Sequence, residues 1–73
     1  MTQVEFLQTF KLLELNYDKE VHDPIVMLWY DEFKNESVEV FKKAIVECIE
    51  YERLFPTMDI VRRYVIKNSR RQF

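Results

Sequence analysis

The hydrophobic residues of this chain recur at helical spacing in four separate segments. In each segment apolar side chains return every three or four positions, which lines them along one side of a helix turning about 100° per residue. The predicted core stripes are Phe6, Phe10, Leu13 and Tyr17; then Val26, Trp29, Tyr30 and Phe33; then Val38, Phe41, Ala44, Ile45, Cys48 and Ile49; and finally Met58, Val61, Tyr64 and Val65. The pattern predicts an all-α fold in which residues 1–73 form one compact domain of about four short helices.

Residues that cap helices precede each of these segments. Glu5 follows the first candidate cap by three residues, the spacing of a capping box, and Pro24 suits the first helical position. Pro56 disfavours helix at Phe55 and so separates the third and fourth segments. The predicted N-caps are Thr2, Asp23, Ser37 and Thr57.

Asparagine marks the predicted ends of three helices. Asn16 and Asn35 replace glycine, because asparagine tolerates the left-handed conformation found at many helix C-termini. Asn68 is predicted to stop the last helix, which leaves residues 68–73 as a frayed or disordered tail.

Two helices carry apolar residues outside their core stripes. In the first, Val4, Leu12 and Leu15 fall nearly opposite the stripe; in the second, Leu28 lies about 180° from its centre. Each set has two interpretations. Either the helix is covered by neighbours on several sides, or the additional residues form an open surface that contacts a partner.

Composition supports a helical fold and narrows the possible sites. The chain has no glycine, which tight β-turns need more often than helices do, and 48% of its residues are apolar, enough for a packed core. A single cysteine and a single histidine allow neither an internal disulfide nor a Cys/His zinc site, so no cofactor or metal is predicted. The lone cysteine and the lack of an apolar span or leader predict a cytoplasmic protein without membrane contact.

Charge is distributed unevenly along the chain. Residues 1–60 carry 13 acidic and 6 basic side chains, a net charge of −7, whereas residues 61–73 carry five basic and no acidic ones. Such a basic end can bind an anionic partner, or it can fold against the acidic body of its own chain.

The fourth helix is predicted to present these bases on one face. Arg62, Arg63, Ile66, Lys67 and Arg70 lie away from its core stripe, and Arg71 follows them. This face can be solvated, dock on an acidic protein surface, or bind nucleic acid. Nucleic acid is less favoured because the acidic body repels phosphate and because Met58, Asp59 and Ile60 are poor base-reading residues at a helix start. The candidate partner-binding residues are Leu28, Arg62, Arg63, Ile66, Lys67, Arg70 and Arg71.

Catalytic chemistry finds no support in the sequence. His22 lies in a loop beside a helix start, and Cys48 lies within an apolar stripe, so neither has an evident second group to orient it. A glycine-rich phosphate loop is excluded by composition. We therefore expect a protein that is not an enzyme.

The chain contains three short motifs in the order "LWYDEFKN", "VFKKAIVECIEY" and "LFPTMDIVRR". Together they resemble the folded N-terminal domain of the bacteriophage replicative-helicase loader and inhibitor family. The positions that match are Trp29, Tyr30, Phe55, Pro56 and Thr57, although that family often has two prolines before the threonine. The resemblance implies a helical adaptor that binds a hexameric replicative helicase, delivers it to an origin complex and restrains its activity.

Three hypotheses therefore follow from the sequence. The first is a phage protein that binds the replicative helicase or its loader in the host cytoplasm. The second is a small nucleic-acid-binding module that uses residues 62–71. The third is a homodimeric structural domain paired through Leu12, Leu15 and Leu28.

Overall fold

Four α-helices form in the order that the hydrophobic pattern predicts. The computed structural model describes residues 1–70, and no strand occurs within them. The helices are α1 (Gln3–Asn16), α2 (Asp23–Phe33), α3 (Val38–Tyr51) and α4 (Met58–Arg70). The chain is therefore a small all-α domain, as the sequence predicts.

Helix α3 is the central element, and its backbone packs most closely against α4 and α1. The ring of Phe6 at the start of α1 contacts that of Phe41 at the start of α3, with centroids 5.4 Å apart. At the other end of α1, the Tyr17 hydroxyl donates a hydrogen bond to the backbone oxygen of Glu52, 2.7 Å away. These contacts show that α1 and α3 run parallel.

Helix α4 runs antiparallel to α3. At the middle of α4, the Tyr64 hydroxyl donates to the carboxylate of Glu52 at the end of α3. One turn later, Lys67 contacts Glu47, which lies further back along α3. The last helix therefore returns along the third, as the short connection between them requires.

Helix α2 is held chiefly by aromatic side chains, since its backbone approaches the other helices less closely. A connected group of rings, here called the aromatic cluster, joins α1, α2, α3 and the segment before α4. Neighbouring centroids are 5.2–6.2 Å apart, within the range of favourable ring pairs. The members are Phe6, Phe10, Tyr17, Trp29, Tyr30, Phe33, Phe41 and Phe55.

The buried residues confirm most of each predicted stripe. The core consists of Phe6, Phe10, Leu13, Val26, Trp29, Phe33, Val40, Phe41, Ala44, Ile45, Cys48, Val61 and Val65. Tyr17, Tyr30, Ile49, Met58 and Tyr64 are half-buried and pack against it. Val40 was not predicted to be buried. Thr9 was also missed, and its hydroxyl donates to the backbone oxygen of Glu5 inside α1.

Three predicted N-caps are confirmed. Thr2 and Glu5 form a reciprocal capping box, and the hydrogen bonds from Thr2 also lower the pKa of the Glu5 carboxyl. The Ser37 hydroxyl accepts a hydrogen bond from the Val40 N–H. Thr57 accepts one from the Ile60 N–H at 3.3 Å.

The prediction that Asp23 caps α2 is wrong by one residue. His22 occupies the N-cap with no side-chain hydrogen bond, and its backbone oxygen accepts from the N–H groups of Ile25 and Val26. Pro24 is accommodated because the first N–H groups of a helix need no intrahelical partner. Asp23 lies inside the first turn, where the helix dipole favours a carboxylate.

Asparagine does not provide the left-handed helix ends. Asn16 is still helical, and Asp18 (φ 50°) is the one residue within 1–70 that has positive φ. Aspartate tolerates this conformation for the same reason as asparagine. At the end of α2, Lys34 is the C-cap and is right-handed, so Asn35 follows the helix without a left-handed turn.

The prediction that α4 stops at Asn68 is also wrong. Asn68 is buried, its side-chain amide donates to the backbone oxygen of Tyr64, and the helix continues through Arg70. Packing against the core therefore extends the helix into the predicted frayed tail. The remainder of that tail, residues 71–73, lies outside the described residues and includes Arg71.

The cap at Thr57 gives a stability prediction. Thr57→Ala should lower the free energy of unfolding by about 1 kcal/mol, because the Ile60 N–H loses its side-chain acceptor. In a domain of this size that loss corresponds to a fall of about 4–8 °C in Tm. Thr57→Ser keeps the hydroxyl and is the matched control. An unchanged Tm in Thr57→Ala would show that the cap contributes nothing.

Candidate protein-interaction surface

An ion pair joins α2 to α4 at the surface. The guanidinium of Arg62 donates to the Glu32 carboxylate through Nη2 and through Nε, the latter at 2.8 Å. Its Nη1 also donates to Asp59, 2.9 Å away on the preceding turn of α4. Glu32 lies on α2 and Asp59 lies on α4 itself, so the contact with Glu32 is the one that links the two helices.

Two other bases of α4 also pair with acids of this chain. Arg63 pairs with Asp59 at 3.3 Å, and Lys67 pairs with Glu47 of α3 at 2.8 Å. Through Arg62 and Lys67 the structure shows the basic helix folded against acids of α2 and α3, whereas the Arg63 pair lies within α4. Exposed pairs of this kind contribute little stability, about 0–1 kcal/mol each, but they reduce the positive potential available to phosphate.

Two exposed apolar residues lie one helical turn away from the members of the Glu32–Arg62 pair. Leu28 lies one turn before Glu32 on α2 and is 54% exposed. Ile66 lies one turn after Arg62 on α4 and is 45% exposed. We call these four residues the α2–α4 surface.

The remaining candidate residues of α4 do not all lie beside this surface. Arg70 is exposed one turn beyond Ile66, whereas Lys67 faces α3 through its pair with Glu47. On α2, Ile25 is exposed one turn before Leu28. The prediction that α2 could be a central helix covered on several sides is wrong, because α3 holds that position and Leu28 is open to solvent.

A second set of apolar residues is exposed on α1. Val4 and Leu15 are 64% and 68% exposed, and Leu7 and Leu12 are also open to solvent. Leu7 was not singled out from the sequence, because it lies at the margin between the two stripes of the helix. The additional apolar residues of α1 therefore face outward within the part of the chain that the structure describes.

Glu52 accepts hydrogen bonds from two tyrosines, which the sequence did not predict. Its position on the α3 stripe predicts either a place beyond the buried portion or a basic partner. Glu52 lies beyond the last buried residue of α3, and its partner is not a base: its carboxylate accepts a hydrogen bond from the Tyr64 hydroxyl at 2.8 Å, and its backbone oxygen accepts one from the Tyr17 hydroxyl. Glu52 is the C-cap of α3, and its two hydrogen bonds link this end of α3 to Tyr64 of α4 and to Tyr17 at the end of α1.

These contacts change the ionisation of both tyrosines. The hydrogen bond to the Glu52 carboxylate, reinforced by burial, raises the pKa of Tyr64 from 10.0 to about 12. Burial raises the pKa of Tyr17, and the Cys48 and Glu52 charges add to the shift. A shallow cleft of about 310 Å³ opens beside Tyr64, lined also by Glu52, Ile60, Arg63 and Lys67.

The residues considered for chemistry lie apart from one another. Cys48 is fully buried, and burial followed by the nearby Glu52 and Glu47 charges raises the pKa of its thiol to about 12. The thiol therefore stays protonated near neutral pH and is a poor nucleophile. His22 is exposed at the start of α2, and residues 1–70 contain no cluster of three or more side chains suited to a metal ion.

Comparisons with protein-family models, with curated proteins and with solved structures give no match to this chain. Among residues 1–70, no helix combines the length and apolar character that crossing a membrane requires.

The Tyr64–Glu52 hydrogen bond gives a pH prediction. The unfolded chain loses the Tyr64 proton near pH 10 and the folded chain near pH 12, so the stability from this bond falls as pH rises between these values. Glu52→Gln removes the charged acceptor and should move the phenol titration, followed by tyrosinate absorbance, towards pH 10. Tyr64→Phe should remove that step, whereas the control Tyr51→Phe, at an exposed position, should leave it. An unchanged profile in Tyr64→Phe would contradict the assignment.

Proposed function

We propose that this chain is a non-enzymatic phage protein that binds a component of the DNA replication machinery and modulates the loading or activity of the replicative helicase. The binding partner is the helicase or its loader. The observation that carries the proposal is the α2–α4 surface, in which two exposed apolar residues flank a fixed ion pair.

The chemistry of this surface suits contact with a protein. Interfaces place apolar side chains at their centre and polar or charged groups around them, and a few central residues supply most of the binding energy. Leu28 and Ile66 supply apolar anchors on either side of the ion pair, while Asp31, Arg63 and Arg70 supply charges of both signs nearby. A surface of mixed sign favours a protein partner over nucleic acid, which would meet Glu32 and Asp59 beside the bases.

The α2–α4 surface is also held before any partner arrives. The aromatic cluster positions α2, and the Glu32–Arg62 pair adds a contact between α2 and α4. A surface ordered in advance loses less conformational entropy on binding. In this arrangement Arg62 acts mainly within its own chain, and Leu28 and Ile66 contact the partner.

The identity of the partner follows from the family resemblance in the motifs around Trp29, Tyr30 and Phe55–Thr57. The structure gives these residues internal roles, since Trp29, Tyr30 and Phe55 belong to the aromatic cluster and Thr57 caps α4. The contact residues therefore lie beside the matching motifs rather than within them. Binding in the cytoplasm of the host cell is part of the proposal.

A binding assay with purified components tests this proposal. The wild-type chain, at micromolar concentration and low salt, should retain the replicative helicase or its loader. Leu28→Ala and Ile66→Ala should each weaken binding about tenfold, because each removes an apolar anchor. Alanine preserves helix propensity, so the fold should be kept.

Val46→Ala is the matched control, since Val46 is exposed to a similar degree but lies on α3, among Glu39, Lys42 and Lys43. It should bind as the wild type does. Retention of neither partner by the wild type would refute the proposal. Equal weakening in Val46→Ala would refute the assignment to the α2–α4 surface.

A further inference from the structure

The outward side of α1 differs in chemistry from those of α3 and α4. Its exposed residues, here called the α1 outer face, are Val4, Leu7, Gln8, Lys11, Leu12 and Leu15. Lys11 is the only charged residue among them. The outer sides of α3 and α4 instead present Glu39, Lys42, Lys43, Glu50, Arg63 and Arg70. A surface with one charge over four turns offers little for recognition through ion pairs.

The apolar and polar positions of the α1 outer face are arranged symmetrically about its midpoint. Val4 and Leu15 lie equally far from the point between Thr9 and Phe10, and so do Leu7 and Leu12. Gln8 and Lys11 form the innermost pair. A twofold axis through such a midpoint brings residue i of one copy to the level of residue j of the other, and the reverse.

We propose that a second copy of this chain covers the α1 outer face, forming a symmetric dimer in which the two α1 helices pack antiparallel. Val4 then lies level with Leu15 of the second copy, and Leu7 lies level with Leu12. Each exposed apolar residue of one α1 helix therefore lies level with an apolar residue of the other. The dimer removes these side chains from water.

Charge selects the antiparallel orientation. A parallel pair in register would place Lys11 against Lys11 of the second copy, and like charges facing each other are unfavourable. In the antiparallel pair Lys11 lies level with Gln8, whose amide oxygen can accept a hydrogen bond from the Lys11 ammonium group. The only charged member of the face therefore finds a polar partner.

The contact is small. An α1 of 14 residues is about 21 Å long, and one helix pair covers less than the roughly 800 Å² per partner of a standard interface. We therefore expect a weak dimer, with a Kd in the micromolar range or above, that dissociates on dilution. Because it uses α1 rather than the α2–α4 surface, it can be tested independently of helicase binding.

Sedimentation over a concentration series tests the dimer. From about 5 µM to about 500 µM the mass should rise from 9.1 kDa towards twice that value. Leu15→Lys should stay monomeric throughout, since it places a charge against Val4 of the second copy. Leu54→Lys is the matched control, because Leu54 is 82% exposed outside the helices, and it should dimerise as the wild type does.

Gln8→Glu tests the orientation, because it adds a carboxylate level with Lys11 of the second copy. In the antiparallel dimer it should tighten association by about two- to fivefold at low salt, since symmetry creates the pair twice. In a parallel dimer it would place two carboxylates together and weaken association.

Disulfide cross-linking tests the register and remains informative if Leu15→Lys fails to fold. Cys48 is buried, so an introduced cysteine is the accessible thiol. A mixture of Val4→Cys and Leu15→Cys chains should form mainly mixed disulfides. Two copies of position 4 would lie about 16 Å apart along the axis, beyond the ~7 Å limit for a disulfide between Cα atoms.

Monomer at every concentration would overturn the proposal. Efficient cross-linking of Val4→Cys with itself would overturn the antiparallel register. Loss of the dimer in Leu54→Lys, with retention in Leu15→Lys, would move the interface away from α1.

Discussion

The position of α2 depends on the packing of aromatic rings. Its backbone makes few close approaches to the other helices, so Trp29, Tyr30 and Phe33 carry the attachment through rings on α1, α3 and the segment before α4. Large rings allow this because they span a wider gap between helices than aliphatic side chains do. The Glu32–Arg62 pair, and with it the α2–α4 surface, can form only where this packing has placed α2.

The features predicted correctly from sequence are those set by residues close together in the chain. A cap such as Thr57 needs only its hydroxyl and an N–H three residues later, and a core stripe needs only helical spacing. The errors arise where distant contacts decide. Asn68 continues α4 because it is buried against the domain. Helix α1 includes Asn16, and the next residue, Tyr17, is held by its hydrogen bond to Glu52.

The candidate surface likewise combines features that local spacing determines with contacts between residues far apart in the chain. Helical spacing alone placed Leu28 and Ile66 outside the core stripes, and both are exposed. That Arg62 selects Glu32 could not be read from the sequence, because 30 residues separate them and several other acids were available. Spacing predicts which face a residue lies on, whereas the partner across that face depends on how the helices pack.

Trp29 has a practical consequence that follows from its neighbours. It is the single tryptophan of the chain, and its ring contacts Phe10 on α1, Phe33 on α2 and Phe55 before α4. Its fluorescence therefore reports on one defined place, the junction of three segments, without an added label. Detachment of α2 alone would transfer this indole from a buried site to water, so partial opening of the domain has its own optical signal.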